Sequence, residues 1–190
     1  MKNLHAVILA LAVPVTLAAQ AAGGPQPNPI TTAFRARITG LHNNIAQAFD
    51  SIPESKFGYK PTPAQLTIGY IAQHVAADNY FFCNAFGDKK AAISAKDSAT
   101  ADTVKAKWPK DSLVAKLKAS FAFCQDAMGQ LDDAKLSDQI AVTPTRQAAR
   151  AGRVLGHALD LADHYSQLAN YMRLNNILPP TALPRPAPRP

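Results

Sequence analysis

Apolar residues recur in four long runs along this chain, each at the spacing of one helix face. In the first, Ile30, Phe34, Ile38, Leu41, Ile45, Phe49 and Ile52 follow at steps of four and three, which predicts an amphipathic helix over residues 30–52. Pro53 ends it, because proline cannot donate the next helical hydrogen bond. His42 sits beside Leu41 and reads as a surface position. After a loop containing Pro61 and Pro63, Thr67 is placed to cap a second helix over residues 68–86, with Gly87 as its C′ residue. Residues 88–110 show no period and read as a long loop with room for a short helical turn, closed by Trp108-Pro109. Asp111 is the expected cap of a third helix carrying Leu113, Leu117, Phe121, Cys124, Met128 and Leu131. A fourth is expected over residues 146–176, with Thr145 as its cap and Pro179-Pro180 as its stop. No stretch reads as the alternation of a strand. The prediction is all-α: a four-helix up-down bundle over residues 30–178.

The fourth run is unusual in its polar positions. His157, Asp160, His164, Gln167 and Tyr171 fall at steps of three and four, so they form one line along a helix. Val154, Ala158, Leu161, Leu168 and Met172 form the core-facing line beside it, and Asp163, Ser166, Asn170 and Arg173 occupy the solvated side. Imidazole and carboxylate next to a core-facing stripe are side chains that bind metals or move protons. The same stripe also suits an ordinary wet face laced by His–Asp pairs. Tyr171 and Tyr80 are the available phenolic proton donors.

Composition adds a compartment. The chain has 190 residues and a formal net charge of +7. Lys2 precedes an apolar run over residues 6–17, too short to span a bilayer, and Ala19-Gln20-Ala21 fits a signal-peptidase site. Residues 1–21 are therefore expected to be a signal peptide and 22–29 a flexible leader. The mature protein is expected to be periplasmic or secreted, with no stable membrane insertion after cleavage. Residues 179–190 read as a Pro-rich disordered tail. The basic residues are scattered among acidic ones, which argues against a nucleic-acid surface. Cys83 and Cys124 are the only cysteines, and in an oxidising compartment an even pair most simply forms a disulfide. Buried thiols, a reactive thiol and metal ligation are the alternatives.

Several pieces taken together resemble the DinB-like superfamily: Tyr59-Lys-Pro-Thr-Pro63, Ile71-Ala-Gln-His-Val75, Cys83, and the segment from His164-Tyr-Ser-Gln through Asn-Tyr-Met-Arg173 to Pro179-Pro180. The resemblance implies a four-helix bundle, often dimeric, that holds a divalent metal with one His from the second helix and two from the fourth. Carried over, His74 and His164 are ligands. The position four residues before His164 is Asp160 rather than His, which leaves Asp160, or His157 one turn earlier, as the third ligand. Two imidazoles and a carboxylate suit Zn, Ni, Fe or Mn. Gln167 and Tyr171 are expected to support the site. The implied function is a metal-dependent hydrolase or transferase acting on a small molecule. The alternative is a non-catalytic metal- or ligand-binding or stress-related protein on the same scaffold.

Overall fold

The computed structural model describes residues 27–184 other than Asp88. The expected signal peptide, most of the expected leader and the end of the expected tail lie outside the described residues. Four long helices carry the architecture: α1 (Pro29–Ser51), α2 (Ile68–Phe86), α5 (Lys110–Gly129) and α6 (Arg150–Leu174). Each of α1 and α2 packs against both α5 and α6. Their apolar faces close a single core that includes Phe49, Ile71, Phe86, Leu117, Leu161 and Leu168. Each such side chain contributes roughly 1.5–3 kcal/mol by leaving water.

Contacts along the helices set their directions. Asn79 donates to Ser120 (2.7 Å) and Cys83 is bonded to Cys124, so α2 and α5 run the same way. His42 stacks on Phe121 at 4.2 Å, while Arg35 reaches the far end of α5 through the Met128 carbonyl (2.8 Å), so α1 opposes α5. His74 meets His164 and Phe86 meets His157, so α6 opposes α2. The bundle thus runs up, down, down, up. The long connection between α2 and α5 is what lets two successive long helices point the same way.

That connection is more ordered than a plain loop. It contains the short helices α3 (Ala95–Ala99) and α4 (Asp102–Lys105), with Ser94 capping α3 through a 3.1 Å bond from the Asp97 amide. The α4 end packs closely on α2. A side chain at Gly69 would strike the Ala106 carbonyl oxygen, so only glycine permits this approach.

Several helix ends differ from expectation. Thr67 does cap α2, accepting from the Tyr70 amide at 3.1 Å. Gly87, however, has extended backbone (φ −92°) and not the left-handed C′ form. It is needed for space, since a Cβ there would lie 2.7 Å from the Ala127 Cβ. Helix α5 begins at Lys110 after Pro109, which places Asp111 in the first turn and not at the cap. There its carboxylate faces the positive helix end. The first turn of α1 is capped from across the molecule: the Asp133 carboxylate accepts from the Ile30 amide (3.0 Å) and the Thr31 amide (2.8 Å). Those bonds hold the Asp133 carboxyl below its ordinary range, outweighing the opposite effect of desolvation.

The largest departure precedes the last helix. Residues 146–149 are not helical. They form β2 (Arg146–Ala149), which pairs antiparallel with β1 (Gln139–Thr143) around the Pro144-Thr145 turn, and Thr145 caps nothing. Ile140 and Val142 turn partly inward and their neighbours outward, a period-two pattern that the apolar Ala141 obscures in the sequence. Arg150 then starts α6, its guanidinium hydrogen-bonded to the Phe86 carbonyl at the end of α2. The start of the tail is also docked: the Tyr165 hydroxyl lies 2.9 Å from the Thr181 hydroxyl and accepts from the Thr181 amide at 3.1 Å.

His42 is not at the surface but 1% exposed. Helix α1 touches two neighbours, so its buried face is wider than one stripe. Burial, and secondarily the nearby His157, lower the His42 pKa from 6.5 to about 3. The unfolded chain takes up this proton near pH 6.5 while the folded chain stays neutral, so this contribution to stability is lost as pH falls through that window. Between pH 6.5 and 4 the expected loss is on the order of 3 kcal/mol. Urea unfolding of a His42→Leu variant with the disulfide intact should show a correspondingly shallower pH dependence. Identical slopes for parent and variant would refute this account.

Candidate metal centre

Three donor side chains meet where α2 and α6 cross. His74 and Asp78 are four residues apart on α2, and His164 comes from α6. The His74 Nε2 lies 3.1 Å from the Asp78 Oδ2, and the His164 Nε2 lies 3.9 Å from the same oxygen. The His74 and His164 rings meet edge-on, with centroids 4.9 Å apart. One donor atom from each of the three residues lies within 4.8 Å of the others. Donors bound at about 2.1 Å to one ion stand at most about 4.2 Å apart, so small side-chain shifts would complete the contraction.

The local sequence makes this geometry. His74 and Asp78 occupy one line of α2, since four residues make just over one turn. Asp160 and His164 do the same on α6. Because the helices are antiparallel, His faces His and Asp78 falls near Asp160. The His164 Nε2 is 3.6 Å from the Asp160 Oδ1.

The electrostatics are those of crowded carboxylates beside imidazoles. The Asp78 carboxyl is raised above its ordinary value chiefly by burial, with His74 and His164 opposing and Asp160 and Asp102 adding to the rise. For His164, burial alone would lower the pKa. The Asp160 hydrogen bond and charge, with Asp78 and Asp163, reverse this and raise it. The Asp160 Oδ2 and His164 Nδ1 are buried without a hydrogen-bond partner. Two imidazoles, a carboxylate and a further unpaired carboxylate oxygen fit a divalent cation, whose charge would relieve the repulsion among the acids.

The sequence-predicted residues are distributed as follows. His74 and His164 come together. Asp160 adjoins His164 but lies at the edge of the three-donor group, and Asp78 occupies the place expected for it. The sequence carries a signal for Asp78: His74-x-x-x-Asp78 is the reverse of Asp160-x-x-x-His164. His157, the alternative third ligand, lies in a different cluster and does not join the donor group. It is fully buried beside Cys83 Sγ (3.9 Å), Phe82 and Phe86. Burial, with Arg153, lowers its pKa to about 4 against the opposing pull of Asp160. Gln167 donates to Asp163 (3.0 Å) at the surface and not to His164. Tyr171 packs against Tyr59, rings 6.1 Å apart, two turns beyond His164. Burial and Tyr59 raise its pKa, and burial raises that of Tyr80. Cys83 and Cys124 form a disulfide with a Cα separation of 5.3 Å.

A cavity of about 790 Å³ lies between the loop that precedes α2 and the segment from α4 to α5, lined in part by Phe57, Leu66, Tyr70 and Trp108. Of its lining residues, Tyr70 lies beside the donor group, its ring 5.9 Å from that of His74.

The family model of the DinB superfamily matches residues 37–168. No match occurs among curated proteins. Among solved structures, the chain is similar to a DinB-like protein from Bacillus cereus, with a TM-score of 0.63 at 14% identity over 78% of this chain and 95% of that one. Another from Bacillus subtilis gives 0.59 at 14% identity, over 76% and 92%. A mycothiol-dependent maleylpyruvate isomerase gives 0.59 at 13% identity over 73% of this chain, which spans only 60% of the isomerase.

If Asp160 holds up the His164 pKa, an Asp160→Asn variant should titrate His164 at lower pH than the parent, since burial then acts with less opposition. NMR titration of the metal-free protein reads this directly. An unchanged His164 curve would show that Asp160 does not act on it.

Proposed function

The chain belongs to the DinB superfamily, and from that membership we propose that it is an exported, divalent-metal-dependent enzyme, a hydrolase or transferase acting on a small molecule. The observation that carries the reading is the convergence of His74, Asp78 and His164 from two helices. These three would hold the ion. Two imidazoles with one carboxylate suit Zn, Ni, Fe or Mn. An ion there would supply Lewis acidity, polarising a carbonyl or lowering the pKa of water.

The remaining residues have defined parts in this reading. Asp160, beside the His164 Nε2 with one oxygen unpaired, is placed to orient a ligand or accept a proton. The cavity lined by Tyr70 is of a size suited to a small molecule, with aromatic walls and the Lys60 and Lys107 side chains among its lining. The isomerase's thiol dependence is not transferred, because low-molecular-weight thiols are chiefly cytosolic and this chain is proposed to be exported. The Cys83–Cys124 disulfide supports export. N-terminal sequencing of protein recovered from the cell envelope should then begin near residue 22. A start at Met1 would overturn export.

Metal analysis of the untagged, oxidised protein tests the centre. About one equivalent is expected in the parent, with loss in His74→Ala and in His164→Ala and weaker retention in Asp78→Asn. A parent that takes up no Zn, Ni, Fe or Mn under supplementation would sink the enzyme reading. Stoichiometric metal without turnover of any ester, amide or thiol-acceptor substrate would favour the non-catalytic binding protein.

A further inference from the structure

A second group of ligand-type side chains lies in the bundle core, away from the α2–α6 centre. Each long helix contributes one member: His42 from α1, Cys83 from α2, Cys124 from α5 and His157 from α6. The Cys83 Sγ is 3.9 Å from the His157 Nε2, and donor atoms of Cys83, Cys124 and His157 all fall within 4.8 Å of one another. The His42 ring lies 5.8 Å from that of His157. All four residues are at most 1% exposed.

The histidines are costly as simple core residues. Both His42 nitrogens and the His157 Nδ1 are buried without a hydrogen-bond partner. Each such atom gives up its hydrogen bond to water on burial, a cost that leucine in the same space would not carry. His157 faces the cysteine pair through Nε2, and the His42 ring, with both nitrogens unpartnered, lies beside His157.

We propose that reduction of the Cys83–Cys124 disulfide converts this core cluster into a metal site for a zinc-class ion, with Cys83, Cys124 and His157 as ligands and His42 as the fourth group. Two thiolates and neutral imidazoles are a standard tetrahedral donor set for such an ion. The thiolates cancel its charge, so the buried site carries no net charge. The chemistry balances. A dithiol reductant supplies two electrons and two protons, becoming a disulfide itself, and the protein S–S bond becomes two thiols. The ion then displaces both thiol protons to form two metal–sulfur bonds and accepts the imidazole lone pairs. Exchange with an external disulfide, which takes the two electrons and leaves as two thiolates, re-forms the protein disulfide and releases the ion. The α2–α6 centre plays no part in this, so the two sites are expected to load independently.

The test uses cobalt(II) as the probe, in the His74→Ala/His164→Ala variant so that the first centre cannot contribute. The chain is reduced with a phosphine in mild denaturant and refolded without oxygen. One equivalent of cobalt is expected to give a thiolate-to-cobalt charge-transfer band and the intense visible bands of a tetrahedral site, and the oxidised protein is expected to give neither. Cys83→Ser and Cys124→Ser should abolish the charge-transfer band. His157→Leu should weaken cobalt binding by about tenfold or more. Because a serine variant can misfold, Cys83→Ala/Cys124→Ala, which keeps the core apolar, serves as the folded control without the band. A reduced chain that shows no charge-transfer band, whether folded or not, overturns the proposal. So does a band that persists in Cys83→Ser or binding that is indifferent to His157→Leu.

Discussion

Helices α2 and α6 run antiparallel, and their crossing brings together the side chains of the donor group. Each brings a His and an Asp four residues apart, in opposite sequence order. Turning one helix end for end places imidazole against imidazole and carboxylate near carboxylate. The result is a compact donor group at one level and, further along the same crossing, the contact between His157 and the end of α2. A parallel crossing would have scattered the same residues.

That crossing is held from several sides. The disulfide ties α2 to α5, closing 41 residues of sequence. On the chain-entropy account this contributes about 4 kcal/mol. Arg150 joins the first turn of α6 to the last carbonyl of α2, and the hairpin before it sets where α6 begins. Gly69 lets α4 settle on α2, which carries Asp102 close enough to influence Asp78. The connection between α2 and α5 thus sets helix direction, helps form the wall of a cavity and adjusts the charge of a candidate ligand.

Crowding like charges and leaving polar atoms unpaired both work against stability. Part of that cost falls at two places, the α2–α6 donor group and the His42–His157 core cluster, beside a large apolar core. Consistency across the remainder of the fold is what makes these two exceptions readable as chemistry.

The sequence by itself pointed to four helices, most of their boundaries and the pairing of Cys83 with Cys124, because these rest on local periodicity, capping chemistry or a count of residues, while His74 and His164 were paired through the family resemblance. Direction, depth and partnership were decided only by tertiary structure. The stripe on α6 places His157, Asp160, His164, Gln167 and Tyr171 on one line, but a line along a helix crosses several environments. One end lies against the disulfide, the middle against α2, and the other end against Tyr59. Asp78 entered the donor group through the antiparallel crossing, which no single helix encodes. His42 was buried because α1 has two neighbours, and residues 146–149 became a strand because Gln139–Thr143 was there to pair with them. Periodicity states which face of a helix is polar, and only packing states what that face meets.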